Sequence, residues 1–359
     1  MVRFCLRGLS WAVAGAVAAV ADETGVSMRA CKWAVSLAFV CSLGVGAADA
    51  ETWKMATKQP ADGPEGKVFQ YFAEQAAKHS GGKVTVQVFP NEQLGKEAAI
   101  LEQLKIGTVH IYAEGSIFLQ KWVPEIRWSN APFLFDDRAH WVRFMNSPMV
   151  SGWFKRAQTE AGIGMLGDTT AVLRGPYRVM VTKGPIKQVA DLKTIKMRMA
   201  NDKTGVEVWT YLGTEVRVLG WAETYDGISK GVVNAATSPV ALVESMRFQE
   251  VAPVITRTDE YWQSIAFMMN QKAFDRLPKD QQAALLKAHG DAAKFADNLM
   301  GKETKESLAR MQAKGVVYNE IDLKPFVKHM LNFYKSKEAS GELPKGFMDV
   351  VEQTRKKIS

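Results

Sequence analysis

The sequence has almost no cysteine, and what it has lies at one end. Its three cysteines, Cys5, Cys31 and Cys41, all fall within the first 41 of 359 residues. The rest of the chain has no thiol, so it forms no disulfide, carries no cysteine nucleophile and builds no zinc site from thiolates. Two classes of function, thiol catalysis and cysteine-ligated metal binding, are thereby excluded for residues 42–359.

The sequence also lacks the short motifs of nucleotide binding and hydrolysis. It has no phosphate-binding loop, no HExxH and no GxSxG, and its five histidines are scattered without ligand spacing. We therefore predict no metal, no cofactor and no catalytic residues. Residues 162–167 match GxGxxG, but they follow a helical stretch and precede a strand, the reverse of the dinucleotide-binding order. We interpret Gly162 as a helix C-cap.

Long apolar runs without charges are missing after residue 50. The formal net charge of +8 is spread along the chain, with basic and acidic residues alternating on predicted helix faces. This pattern argues against a nucleic-acid-binding stripe, and it favours solvated faces with a mild bias toward small anionic ligands. We expect no nucleic-acid partner.

The first 50 residues contain an export signal. From Met28, two basic residues precede a short apolar run and a small-residue sequence that ends at Ala50. We predict a signal peptide over residues 28–50, cleavage near Ala50 and a periplasmic location. Residues 1–27 carry a second apolar stretch, which we interpret as a mis-annotated upstream extension; an uncleaved N-terminal membrane helix is the alternative.

Residues after 50 alternate between strand and helix patterns, as in a largely parallel α/β sheet. We predict a strand over 84–88, a helix over about 95–106, a strand over 109–113 and a single helix over 140–161. In such sheets ligands bind beyond the carboxyl ends of the strands. Glu114 stands at one of those ends, so topology alone makes it a candidate site residue.

The most informative segment runs from Arg178 to Arg198. It contains a turn signal at 184–185, a helix start at 191–193 and a short strand pattern that ends at Arg198. A guanidinium presents a planar fork of donors that matches a carboxylate and keeps its charge. Two such groups at strand ends would clamp a small anion; the alternative is that both are solvated surface charges. Trp221, directly after another predicted strand, either floors a ligand pocket or packs half-buried.

Ordered markers along nearly the whole mature length resemble one family. They are FPNEQLG at 89–95, EQL at 102–104, PFLF at 132–135, the DLK and KMR triplets at 191–193 and 196–198, WAETY at 221–225 and GVVN at 231–234. With these markers the chain resembles the solute-binding proteins of tripartite ATP-independent periplasmic (TRAP) transporters, of the dicarboxylate-binding type.

The resemblance implies an α/β, two-lobed periplasmic binding protein fold, with a ligand cleft between the lobes and a long helix spanning both. It places one lobe at 51–175 plus 264–303 and the other at 176–263 plus 304–359. It implies a monomer that is not an enzyme, captures a small organic acid by cleft closure and delivers it to the membrane permease subunits. A sensory protein that presents its ligand to a receptor, and a periplasmic enzyme that uses carboxylates, remain alternatives.

The resemblance also assigns six ligand-binding residues by position. Arg198 corresponds to the arginine that pairs with the substrate carboxylate through both donors, and Arg178 to a second arginine at the ligand. The other four are Trp221, Ser238, Glu114 and Glu97. Ser238 stands where sialic-acid binders have asparagine, which argues against a sialic-acid ligand.

Overall fold

Two β-sheets organise residues 51–355, the part of the chain that the computed structural model describes. The first sheet contains β1 (Glu51–Ala56), β2 (Val84–Phe89), β3 (Ile111–Glu114), β4 (Ile163–Met165) and β10 (Ala266–Asn270). Their spatial order is β2-β1-β3-β10-β4. The first three strands are parallel, and β10 is antiparallel to both β3 and β4. The carboxyl ends of β1 and β3 therefore lie at the same edge of the sheet.

The second sheet contains β5 (Arg178–Thr182), β6 (Lys196–Met199), β7 (Glu215–Val218), β8 (Ala235–Pro239), β9 (Val254–Arg257) and β11 (Val317–Glu320). Their spatial order is β11-β9-β5-β8-β6-β7. β6 is parallel to both β7 and β8, whereas β5 is antiparallel to β8 and β9. The carboxyl ends of β6 and β8 thus meet the start of β5, which brings residues that are distant in sequence to one edge.

Helices cover both sheets. Those with α-helical geometry are Pro64–His79, Glu97–Ile106, Arg138–Met145, Pro148–Ala161, Lys203–Tyr211, Thr224–Ser229, Val240–Ser245, Gln271–Arg276, Lys279–Ala313, Lys324–Ala339 and Phe347–Thr354. Short 3-10 segments are Ser116–Lys121, Pro124–Asn130, Val189–Thr194 and Phe248–Glu250. None of the helices within 51–355 is long and apolar enough to cross a membrane.

Two segments of the chain cross between the sheets, one after β4 and one before β10. A long helix forms a third connection between them. The segments after β4 and before β10 run antiparallel, with Ile265 N donating to Val172 O at 2.9 Å. The long helix, Lys279–Ala313, packs against Pro64–His79 beside the first sheet and Val240–Ser245 beside the second. The predicted two-lobed α/β fold with a spanning helix is confirmed.

Clusters of buried apolar side chains stabilise the fold. Beneath the first sheet, Phe69 and Phe72 meet the edge of Phe267 with ring centroids 6.0 and 5.0 Å apart. The C-terminal helix adds Phe347, whose ring lies 5.5 Å from that of Phe144. Burying an aromatic side chain of this size stabilises the fold by roughly 2–3 kcal/mol.

The single helix predicted over 140–161 was wrong, because the structure has two helices there. Ser147 interrupts the run: its Oγ accepts from Val150 N at 3.4 Å, and Pro148 occupies the first helical turn. Proline lacks the amide that would continue the preceding helix, so the break is local chemistry. Gly162 ends the second helix with a φ of 68°, which confirms it as a C-cap. The predictions for residues 1–50 lie outside the described residues.

Candidate functional site

A cavity of about 70 Å³ opens between the two sheets, at the edge where their parallel strands end. Five of the six predicted site residues line it. From the first sheet comes Glu114; from the second come Arg178, Arg198, Trp221 and Ser238. The sixth, Glu97, lines a neighbouring cavity of about 150 Å³ that shares Arg198 and Trp221 with the first. The two cavities together form one cleft, which we call the ligand cleft.

Arg198 is held in place by a backbone carbonyl rather than by an acid. Its Nε and Nη2 both donate to Leu219 O, at 3.0 and 2.8 Å, and its Cζ lies 5.2 Å from the Trp221 ring. The side chain is 8% exposed, and no acidic oxygen of residues 51–355 pairs with it. Burial lowers the pKa of Arg198 to about 10. A buried cation without a directly paired acid is the partner that an incoming carboxylate requires.

Trp221 forms an apolar wall of the ligand cleft and joins its two sides. The indole is 6% exposed and meets the edge of Phe248 at 5.0 Å. Its Nε1 donates to Oε1 of Gln59 at 3.1 Å. Gln59 follows β1 of the first sheet, whereas Trp221 follows β7 of the second, so this bond spans the cleft.

Arg178 lines the same cavity, but its charge is already paired. Its Nε donates to Oε1 of the fully buried Glu260 at 2.7 Å, and its Nη2 donates to the Thr237 hydroxyl at 3.1 Å. Its Cζ also lies 4.1 Å from the Tyr261 ring. Burial alone would lower the pKa of Arg178, but Tyr261 and Glu260 raise it above its usual range. The structure therefore gives the two predicted arginines different electrostatic states.

Glu114 is buried at the end of β3 and is held ionised by cations. Its Oε1 accepts from Arg174 Nη1 and, at 2.8 Å, from Gly115 N. Its Oε2 lies 3.4 Å from Lys58 Nζ. Burial acts to raise the pKa of Glu114, but Arg174 and Lys58 outweigh it and lower the pKa to about 2. The topological prediction of Glu114 as a cleft residue agrees with its position.

Arg174 connects Glu114 to a further buried acid that the sequence did not suggest. Its Nε lies 3.1 Å from Oε1 of Glu65, and its Nη2 donates to Oε2 at 3.1 Å. Glu65 is fully buried in the first turn of the helix Pro64–His79. Burial raises the pKa of Glu65 to about 7 despite the opposing effect of Arg174.

Lys58 links the two cavities. Its Nζ lies 3.3 Å from Oε2 of Glu97 and 3.4 Å from Glu114, and it stacks 4.6 Å from the Phe118 ring centroid. Glu97 begins the helix Glu97–Ile106, and burial raises its pKa although Lys58 opposes the shift. The Glu97 side chain is 20% exposed, against 1% for Glu114, so Glu97 lies at the mouth of the cleft rather than at its floor.

The remaining wall is polar. Ser238 is fully buried on β8, and its hydroxyl donates to Pro239 O at 3.0 Å. Asp202 caps the helix Lys203–Tyr211 by accepting from Thr204 N at 3.1 Å, and burial raises its pKa to about 6. Among the described residues no group of three or more His, Cys, Asp or Glu is placed to hold a metal ion.

Sequence reasoning missed Lys58, Arg174, Glu65 and Asp202. The rule that identified Glu114 applies equally to Lys58, because that residue follows β1 at the same edge of the sheet. Arg174 could not be identified from the sequence, because it lies in the irregular segment between β4 and β5. No periodic pattern there indicates which way a side chain points.

Comparison with known proteins agrees with this architecture. The chain is 28% identical to a TRAP periplasmic solute-binding protein of a Bradyrhizobium species, solved with galacturonate, with a TM-score of 0.75 over 85% of this chain and 99% of that one. A second TRAP solute-binding protein, from Roseobacter denitrificans with bound β-D-glucuronate, gives 25% identity and a TM-score of 0.76 over 85% and 100% of the two chains.

A curated relative and a family model extend the match. The C4-dicarboxylate-binding periplasmic protein of Rhodobacter capsulatus is 26% identical over 262 residues, which cover 71% of this chain and 75% of the relative. The sequence resemblance to TRAP solute-binding proteins is confirmed. The model of bacterial extracellular solute-binding protein family 7 matches residues 55–340, most of the chain. The chain belongs to the bacterial extracellular solute-binding proteins of family 7.

Proposed function

We propose that this chain is the periplasmic solute-binding component of a TRAP transporter, and that it captures an organic acid and delivers it to the membrane permease. The observation that carries the proposal is Arg198, a buried cleft guanidinium that forms no ion pair with any acid of residues 51–355. A ligand carboxylate supplies the missing charge and accepts from donors that Leu219 O leaves free. The bound ligands of two related structures, galacturonate and glucuronate, carry such a carboxylate.

The protein binds its ligand without chemical conversion and acts as a monomer. The signal peptide is removed near Ala50, and the lobes comprise 51–175 plus 264–303 and 176–263 plus 304–359. Arg198 acts as the clamp, Trp221 as the apolar wall and Ser238 as a polar wall residue, while Arg178 supports the carboxylate from its paired position. Contacts from both lobes favour the closed cleft, and the permease receives that form.

The test begins with the ligand that copurifies with the exported protein. Mass spectrometry of the material released on unfolding should identify an organic acid, and calorimetry on refolded protein should measure its dissociation constant. Arg198→Ala should weaken binding by roughly 100-fold, because the ligand carboxylate is left buried and unpaired. Arg198→Lys should weaken it by roughly tenfold or more, since an ammonium cannot replace the planar fork.

Arg217→Ala provides the matched control. Arg217 lies beside Arg198 on the neighbouring strand β7, but its side chain is exposed and paired with Glu215. Its removal should leave the dissociation constant unchanged. Wild-type affinity in Arg198→Ala would refute the clamp, and release of a ligand without an acidic group would refute the function.

A further inference from the structure

Five side chains form a continuous line of alternating charges along one side of the ligand cleft, which we call the charge chain. Its order is Glu65, Arg174, Glu114, Lys58 and Glu97. The Glu65–Arg174, Glu114–Lys58 and Lys58–Glu97 contacts measure 3.1, 3.4 and 3.3 Å, and Arg174 also hydrogen-bonds Glu114. The line runs from the buried start of a helix to the mouth of the cleft.

The charge chain contains more acid than base. Three carboxylates share two cations, so the five groups carry a net charge of −1 when all are ionised. Burial raises the pKa of Glu65 and of Glu97, as expected where cations are too few to stabilise every carboxylate. Lys58 and Arg174 are therefore already fully neutralised by acids of the protein.

The other two cations of the cavity differ from each other. Arg178 is neutralised by Glu260 at 2.7 Å. Arg198 meets no acid among residues 51–355 and bonds only a carbonyl oxygen through Nε and Nη2. Of the four cations that line the cavity, Arg198 alone has an unmet charge. Arg198, on the second sheet, is therefore the cation of this cavity that is left to pair with a negative charge of the ligand.

Glu114 lacks a hydrogen-bond donor rather than a counter-charge. Its Oε2 is buried in the cavity wall, 3.4 Å from Lys58 Nζ, and accepts no hydrogen bond from the described residues. A buried carboxylate oxygen in that state is stabilised by a donor such as a hydroxyl group. A second carboxylate at the same place would meet the Glu114 carboxylate, in a charge chain whose three acids outnumber its two cations.

We propose that the ligand is a hydroxylated monocarboxylate, whose single carboxylate pairs with Arg198 and one of whose hydroxyls donates to Glu114, and that the charge chain rejects dicarboxylates. The proposal rests on the proposed function and names its substrate class. Similarity to known proteins does not decide between a monocarboxylate and a dicarboxylate ligand, because the relatives include both a C4-dicarboxylate-binding protein and complexes with uronates. Glu97 is the specificity-determining residue that the geometry assigns, because it occupies the accessible end of Lys58.

Matched pairs of sugar acids test the proposal on the wild-type protein. Galactonate and galactarate, and gluconate and glucarate, are pairs of open-chain acids with the same carbon skeleton, and the members of each pair differ in the second carboxyl group. Calorimetry at pH 7.5, where both carboxyls of each diacid are ionised, should find at least one monoacid bound about tenfold or more tighter than its diacid. Equal or tighter binding of the diacid in the pair that binds would overturn the proposal.

A variant of the charge chain tests the cause of the selectivity. Glu97→Gln keeps the shape of the side chain but removes the excess negative charge of the charge chain, so repulsion of a second carboxylate weakens and the preference for the monoacid should fall by about tenfold. Glu102→Gln is the control: Glu102 lies on the same helix, Glu97–Ile106, and pairs with Lys121 in solvent, away from the cleft. It should leave the preference unchanged.

An unaltered preference in Glu97→Gln overturns the charge-chain explanation, and binding of no member of either pair overturns the substrate class. These failures are distinguishable from failure of the proposed function. If a diacid or another organic acid binds and Arg198→Ala abolishes that binding, the solute-binding role stands while the inference falls. If the copurified ligand carries no acid, both fall.

Discussion

Replacing Arg198 by methionine should leave the ligand-free protein at least as stable as the wild type, whereas Arg178→Met should destabilise it strongly. The two arginines are similarly buried and line the same cavity. They differ in that Arg178 forms an ion pair with Glu260, whereas Arg198 forms no ion pair with an acid of residues 51–355. The prediction therefore isolates the electrostatic difference on which the proposed function rests.

The expected magnitudes follow from the contacts. Burial lowers the pKa of Arg198 from 12.5 to about 10, which corresponds to a folding penalty of roughly 3 kcal/mol at any pH below that range. Removing the guanidinium relieves the penalty but leaves Leu219 O without its two donors, at a cost of about 1–3 kcal/mol. Methionine refills most of the volume. The net change in the free energy of unfolding should lie between zero and about +2 kcal/mol.

Arg178→Met has the opposite sign, because it leaves the fully buried Glu260 as an unpaired charge. Breaking a buried pair in this way typically costs about 3–5 kcal/mol. Urea unfolding followed by circular dichroism, on protein stripped of ligand by unfolding and refolding, measures both values. A loss of more than about 2 kcal/mol in Arg198→Met would refute the uncompensated-charge argument, as would an Arg178→Met variant as stable as wild type.

Two further predictions concern the buried groups that support the cleft. Burial raises the folded-state pKa of Glu65 from 4.5 to about 7, so its contribution to stability is complete below pH 4.5 and is lost as the pH rises toward 7. Glu65→Gln should flatten the fall in the free energy of unfolding across that window in urea titrations; a slope equal to the wild type's would contradict this. Gly66→Ala should lower the free energy of unfolding by about 1–3 kcal/mol, because a Cβ there lies 2.3 Å from Pro60 O, a backbone atom with little freedom to move. Gly152→Ala, at an exposed helical position with nothing within 4 Å, should instead raise it by up to about 1 kcal/mol, and thermal unfolding of both variants checks the contrast.

Much of the fold followed from local patterns in the sequence. The strand predicted over 84–88 is β2, and the predicted helix over about 95–106 begins at Glu97, because Lys96 still has extended backbone geometry. β11 gave no clear signal: only one of its four residues is apolar without a polar group, and none is fully buried. Short edge strands of this kind are defined by pairing with a neighbour, here β9, rather than by their own composition.

The site was predictable where a residue sits at the end of a regular element. Arg198 lies near the end of β6, and Glu114 closes β3, so sheet topology and family resemblance both pointed to the cleft. The charge balance was not predictable. It depends on Arg174 and Glu260 in irregular crossing segments, whose side-chain directions only the packed structure defines. The residue pattern alone gave Arg178 and Arg198 the same role and the family resemblance separated them, but only the contacts show that Arg178 is already paired with Glu260.

The positions of Arg198 and Glu114 on opposite sides of the cleft link the chemistry of the ligand to cleft closure. Arg198 belongs to the second sheet and Glu114 to the first, so a ligand with a carboxylate at one end and a hydroxyl at the other meets an unmet group on each side of the cleft. An open cleft lets water solvate both groups, whereas a closed cleft without ligand leaves the guanidinium buried without a paired acid and Oε2 of Glu114 without a hydrogen bond. The closed form is therefore penalised until the ligand is present, and the ligand's differential affinity for that form supplies the free energy that shifts the equilibrium.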